Sequence, residues 1–337
     1  MKKSIVLALC VFLFTLAYAQ KLEWKAGMYH FFDNTEFQGS TFVNDQTMAG
    51  IRFMPEVGLR FGDVHRLDVG FDALKTYGSS DFLDAITPTA YYLYDDTHFR
   101  FQMGRFAKAD QLDDFSRAFF QDSIRYFSPN MNGFMLSWKA DNLRAKAFLD
   151  WTGKQDTSVH EAFFVGGTLR YQKNVFFAEM QALMFHYAGS LQQRGVRDNF
   201  LMHPAIGLDF KDHTWLQSLS LNLGWLQGIE RNRNTSSAFS TRGGLLLEAE
   251  ASYKGLELQS SSYWGQGLMI DYAGMGSDLY WGDPFYRGKS YHRIDASYHF
   301  LNTSVAKATL NLANHFSEGR YFVEQSLIVQ IALHSNP

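Results

Sequence analysis

Arginine and aspartate recur in this chain at alternate positions, and that spacing is the first hint of chemistry. Arg52, Arg60, Arg66, Arg100, Arg144, Lys146 and Arg170 all fall on the parity opposite to their neighbouring apolar residues. Glu56, Asp68, Asp72, Asp150, Glu179, Asp209, Glu248 and Glu250 share that charged parity. A further group, Asp110, Asp113, Asp114 and Asp122, lies together in a stretch rich in phenylalanine. Basic side chains facing acidic ones across a water-filled constriction would set up a transverse field that orients solutes. Cross-strand pairing that only keeps an interior hydrated is the simpler alternative. Such pairs contribute about 0.2–1 kcal/mol each.

Hydrolytic and metal chemistry find no comparable spacing. His160-Glu161 begins like H-E-x-x-H, but Phe164 stands at the fifth position. The Asp110–Asp122 stretch lacks the central glycine of a calcium loop. Glu248 and Glu250 are consecutive positions on one strand face, better read as lining than as an acid–base pair. Twelve-stranded outer-membrane lipases carry Ser, His and Asn on the lipid side of their barrels. Here His186 has the lipid parity, while Asn174 and Ser190 do not fall beside it. The expectation is therefore no enzyme, no cofactor and no metal.

The elements that carry these residues are strands with period-two alternation. In Leu143–Thr152, Leu143, Ala145, Ala147, Leu149 and Trp151 share one face; Arg144, Lys146, Asp150 and Thr152 share the other. Ile51–Phe61, Leu245–Tyr253 and Tyr321–Leu333 repeat the pattern. A basic residue facing lipid near the bilayer midplane costs about 2–4 kcal/mol, so the charged parity must face inward. The segments number about sixteen (14–18): 23–37, 47–61, 65–77, 87–94, 97–106, 131–139, 143–152, 161–171, 175–188, 200–210, 217–229, 241–253, 256–265, 290–300, 305–316 and 321–333. Seven of them end in an outward aromatic followed by a short polar turn: Phe61, Tyr94, Trp138, Tyr171, Phe210, Tyr253 and Phe300. Rings at one height form the girdle of a membrane barrel, because amphipathic rings settle at the headgroup level.

The chain begins like an exported protein. Lys2 and Lys3, the apolar run Ile5–Leu16 and Ala17-Tyr18-Ala19 read as a cleaved signal over residues 1–19, leaving a single domain over 20–337. The lone Cys10 falls inside the signal, so disulfides and cysteine-bound metals are excluded from the mature chain. Removing Lys2 and Lys3 from 31 basic residues leaves 29 against 34 acidic, a net charge near −5 that argues against nucleic acid. Export with no stretch of 18 apolar residues, and an aromatic content of 16%, suits a Gram-negative outer-membrane barrel in contact with outer-membrane lipid.

Strand number, alternating short turns and long loops, girdle aromatics and a long third loop together resemble the sixteen-stranded bacterial porins, with no particular subfamily indicated. The resemblance implies an all-β transmembrane antiparallel up-and-down barrel whose third loop, here 107–130, folds inward and narrows the pore. It also implies passive diffusion of small hydrophilic solutes between loop-three aspartates and wall arginines. The chain departs from the family in ending Leu333-His-Ser-Asn-Pro337 instead of on an aromatic. The aromatics and methionines of loop 266–289 suit packing into the mouth, or a surface partner or homo-oligomer contact. A plugged scaffold barrel of a surface or secretion complex and an outer-membrane enzyme acting on lipid or glycan are the alternatives. A closed lumen of satisfied ion pairs would favour the scaffold. A Ser-His or carboxylate constellation at the rim would favour the enzyme.

Overall fold

The computed structural model describes residues 20–108, 113–192, 195–335. The expected signal segment therefore lies outside the described residues, as does Asp110. Sixteen antiparallel strands close into one barrel, each hydrogen-bonded to its neighbours in sequence, with the first pairing the last. They are β1 Gln20–Glu36, β2 Gln46–Phe61, β3 His65–Thr76, β4 Ala85–Asp95, β5 Phe99–Ala107 and β6 Asn130–Lys139. Then follow β7 Leu143–Gly153, β8 Ala162–Lys173, β9 Phe176–Ala188, β10 Val196–Asp209 and β11 Ser218–Asn232. The wall is completed by β12 Ser240–Tyr253, β13 Leu256–Gly265, β14 Ser290–Asn302, β15 Ala306–Ser317 and β16 Arg320–His334. Closure matters physically, since in lipid every backbone N–H and C=O of the wall must find a partner within the sheet.

Turn chemistry separates the two ends. Lys254 and Gly255 both have positive φ (47° and 83°), the conformation of the tight hairpin turn whose twist matches that of the flanking strands. This end, with the other short turns, carries Trp138, Tyr171, Tyr253 and Phe300 exposed on the outer wall, and Phe61, Tyr94 and Phe210 half-buried. Longer connections lie at the opposite end, which by the pattern of bacterial barrels is extracellular.

The barrel interior is divided by height. Toward the short turns it is polar. Toward the long loops it holds an apolar core in which strand residues Phe106, Phe148, Phe164 and Phe185 meet loop residues Phe119, Phe120, Tyr280 and Phe285. The third and seventh loops thus fold inward. Aspartates at the start of Asp113–Ile124 suit the first turn of a helix there, but the helix comes later: a four-residue helix, α1, spans Ile124–Phe127, and the described residues before it run as turns. Aromatic contacts account for the shift, because Phe115 and Phe120 sit edge-on at 5.4 Å and Phe115 reaches Phe148 on β7 at 5.9 Å.

The two loops also bond through their backbones: Gln121 N–H donates to Trp281 O (2.7 Å) and Asp283 N–H to Arg117 O (2.9 Å). Gly282 sits at the crossing, where a Cβ would run into the Ala118 carbonyl. Gly282→Val is expected to pry the loops apart while leaving the barrel closed. Limited proteolysis of the folded protein should show new cuts within 266–289 and an intact wall; an unchanged digest would contradict this packing.

Candidate functional site

Among the described residues, reactive side chains come together in the lumen and in a patch on the outer wall near the rim. In the lumen most of the wall arginines are engaged by carboxylates of the same or nearby strands. Arg52 donates to Asp72 (2.8 Å) and to the Tyr126 carbonyl (2.5 Å). Arg60 and Arg66 both reach Glu23, a residue the sequence reading did not single out, at 2.7 and 2.8 Å. Arg66 also meets Asp68 (2.7 Å). Glu56 accepts from Tyr91 (2.9 Å), and Asp150 pairs with Lys108 at the start of loop three (2.6 Å). Arg170 bridges Glu179 (3.1 Å) and Asp209 (3.4 Å). Arg144, Glu248 and Glu250 line the lower lumen, whereas the buried Nε of Arg100 has no hydrogen-bond partner among the described residues.

The loop-three aspartates find other partners. Asp113 pairs with Arg125 of its own loop (2.5 Å), and Asp114 with Lys146 of the wall. Asp122 accepts from Arg293 on β14 (2.9 Å) and lies 3.2 Å from Arg117. Arg293, buried, also makes a two-pronged bond to Asp295 (2.9 and 2.8 Å). These residues were not singled out by sequence reading. The signal was available, since Tyr291, Arg293 and Asp295 are consecutive inward positions.

Enclosure alone would push the Asp122 carboxyl pKa up, but Arg117 and Arg293, with Arg125 behind them, outweigh it and hold it well below the usual carboxylate range. A depressed pKa contributes stability that is present above the unfolded value of about 3.9 and is lost as pH falls through the lower folded value. Loop three is therefore expected to stay docked between pH 5 and 7. Proteolytic release of the loop already at pH 5 would contradict this.

Among the described residues, two sizeable cavities meet in the lumen. The larger, about 1140 Å³, lies among Lys146, Arg170, Glu179 and Asp209. The smaller, about 420 Å³, lies at the long-loop end among Asp33, Phe37, Asp283 and Glu324. Gln121, Asp122 and Arg293 line both, so the loop-three ion pair stands between them.

On the outer wall, β14 opens with Ser290 and His292, half-buried and alternating with the inward Tyr291 and Arg293. Residues two apart on a strand share a face, so both side chains project outward. Ser290 Oγ and His292 Nε2 are 3.2 Å apart. The Trp264 ring of β13 packs edge-on against the imidazole at 4.9 Å, and Ser262 stands opposite His292 in the register. On β15, Asn314 pairs with Ile294, the next outward residue of β14, and its amide donates to the Ile294 carbonyl (3.3 Å). Tyr321 of β16 donates to the Asn314 side-chain carbonyl (2.8 Å). Exposed Trp264, Phe316 and Tyr321 place this patch at the aromatic level of the extracellular rim. His186, the histidine that parity alone picks out, instead stacks on Phe163 at 4.6 Å. A nucleophile and a base within hydrogen-bond reach is the arrangement that activates a serine.

Comparison with known proteins decides the family. The sequence profile of the lipid A 3′-O-deacylase-type family matches residues 14–325. This chain belongs to that family. The match corrects the expectation of a barrel without catalysis: a lipid A 3′-O-deacylase-type chain is grouped with enzymes, and the absence of a motif spacing did not exclude one. The physical reason is that side chains brought together by strand alternation and register need share no motif spacing in the sequence. No curated protein matches the chain. Among solved structures, the loop-L8 deletion form of OmpT, an outer-membrane protein of Vibrio cholerae, superposes with a TM-score of 0.56 at 9% identity, covering 94% of this chain and 100% of that one. A triple mutant of the Rh. blastica porin does so with a TM-score of 0.51 at 10% identity, covering 93% and 100%. At such identities the likeness concerns the fold: the deacylase-type chain is built on a porin-like outer-membrane barrel.

Proposed function

We propose that the protein is an outer-membrane ester hydrolase that removes an acyl chain from an outer-leaflet lipid, with Ser290 as nucleophile and His292 as base. The observation that carries this reading is the 3.2 Å Ser290–His292 contact on the lipid-facing wall. Aromatic rings mark the boundary between headgroups and acyl chains, and the ester bonds of a membrane lipid lie at that depth. The substrate need not leave the leaflet; it diffuses to the wall. Ser290 Oγ attacks the ester carbonyl carbon while His292 Nε2 takes its proton. The tetrahedral adduct collapses, the C–O bond to the lipid breaks, and His292 returns the proton to the departing alcohol oxygen. Water, deprotonated by the same imidazole, then cleaves the acyl-serine and releases a fatty acid. The family's description names the 3′-O-acyl ester of lipid A, and we assign this class of ester to the chain.

The test is direct. Purified full-length protein is incubated with lipid A in detergent micelles, and the lipid is followed by mass spectrometry. Loss of one ester-linked acyl chain with stoichiometric fatty acid is the expected result; unaltered lipid A, and no hydrolysis of phospholipid esters either, would overturn the reading.

The two cavities that meet at Asp122 and Arg293 favour a second reading, in which small hydrophilic solutes also pass through a lumen narrowed by loop three. Single-channel recording in a planar bilayer tests it: open steps whose ion selectivity changes when Arg144 is neutralised support passage, and a silent bilayer opposes it.

A further inference from the structure

The smaller cavity has a chemistry that neither reading uses. It opens between the first loop, which joins β1 to β2, and the folded-in third and seventh loops. Its polar wall is strongly one-signed: Asp33, Asp122, Asp283 and Glu324 line it, against Arg293 and His315. Most of these groups already have work. Asp283 accepts from the Phe285 N–H (2.9 Å) and from Tyr291 (2.8 Å). Asp122 is held by Arg293, and Glu324 lies 3.3 Å from His315 Nε2.

Asp33 is different. It is 1% exposed, projects inward from β1, and its Oδ1 has no hydrogen-bond partner among the described residues. A buried carboxylate oxygen without a partner is costly, on the order of 1–3 kcal/mol or more. Arg293 is the basic side chain lining the cavity, and it is already shared among Asp122, Asp295 and Glu324 (3.7 Å). The carboxyl group therefore has the Tyr126 side chain beside it and Arg293 at a distance, makes no salt bridge among the described residues, and faces a space with room for a cation.

The remaining walls suit the same guest. Phe37, Phe42, Tyr272 and Phe285 line the cavity with aromatic surface. Their tolerance for positive charge is visible, because the Arg287 guanidinium lies over the rings of Phe42 (5.4 Å) and Tyr272 (4.3 Å). Aromatic faces beside carboxylates are the environment that holds organic ammonium groups, through charge and the ring quadrupole together. Ser40, Asn44 and Gln46 add polar groups at the first loop. A volume of about 420 Å³ matches an aliphatic amine of several carbons.

We infer that this cavity is a binding site for a small organic cation bearing a primary ammonium group, anchored by Asp33. The site lies inside the barrel and is separate from Ser290 and His292 on the outer wall, so it stands or falls independently of the hydrolase reading. The probe is cadaverine (1,5-diaminopentane), titrated calorimetrically into detergent-solubilised full-length protein, with 1,5-pentanediol as the uncharged control of the same length. The expected result is saturable binding of the diamine and none of the diol. Asp33→Asn should weaken the diamine at least tenfold, and Ser290→Ala should leave it unchanged. Glu324→Gln is the second variant, should Asp33→Asn fail to show the heat-modifiable migration of a folded barrel; it too should weaken the diamine. No saturable heat with the diamine, equal binding of the diol, or undiminished affinity in a folded acid-to-amide variant would each overturn the inference.

Discussion

Ser290→Ala is expected to lower the rate of lipid deacylation by about 10³-fold or more, with the barrel still folded. Both halves of that statement follow from where the residue sits. Ser290 begins β14 at the rim, outward, and its hydroxyl lies within hydrogen-bond reach of His292 Nε2. Surface substitutions away from packing features usually change stability by within about 0.5 kcal/mol, so a loss of rate would report chemistry. His292→Asn should cost a similar factor, because an unactivated serine hydroxyl is a weak nucleophile near neutral pH. The decisive measurement is the double variant. Residues that act as one unit are non-additive, so Ser290→Ala with His292→Asn should be no slower than the worse single variant. Factors that multiply would mean that the two side chains act apart, and full activity in Ser290→Ala would remove the wall patch from the chemistry. Binding of lipid to the wall should survive in all three variants, since Trp264, Phe316 and Tyr321 remain.

The barrel was legible from sequence because its determinants are local and repeated. Strands such as Leu143–Gly153 show one apolar and one charged face, and a bilayer outside with water inside dictates which is which. The site was much less legible, for two physical reasons. First, the reading of parity treated the inner face as polar along its whole length. Phe106, Phe148, Phe164 and Phe185 break that rule, and they do so together, at the level where loops three and seven enter. Apolar residues on the lumenal parity were the available sign of a folded-in core. Second, partners across the lumen are far apart in sequence. Asp122 and Arg293 are 171 residues apart, and no spacing rule joins them. The outer pair is the opposite case. Ser290 and His292 are two residues apart, yet a serine and a histidine at that spacing are commonplace, and the contact acquires meaning only when both face lipid beside Trp264.

Arg293→Met is the second substitution with a large expected effect, this time on stability and on the lumen. Arg293 is 3% exposed, and its guanidinium holds Asp295 by two bonds and Asp122 by one, with Glu324 at 3.7 Å. Removing one partner from a buried ion pair is costly, about 3–5 kcal/mol, because the carboxylates left behind lose their compensation while staying out of water. Methionine has a similar length, so the loss would come from charge more than from an empty volume. The wall should survive: β14 is fixed by its ladders to β13 and β15. The strain falls on loop three, whose Asp122 can leave for solvent while Asp295, fixed in the strand, cannot. The expected outcome is therefore a barrel that unfolds at lower temperature in detergent and whose loop three is cut by protease under conditions that spare the wild type. The companion change Asp122→Asn should release the loop with a smaller loss of thermal stability, since it leaves the Arg293–Asp295 bonds in place. Combining the two should cost less than their sum, because the second change removes one of the carboxylates that the first leaves unpaired. Thermal unfolding of the two singles and the double closes this cycle, and strict additivity would mean that Asp122 and Arg293 do not hold each other.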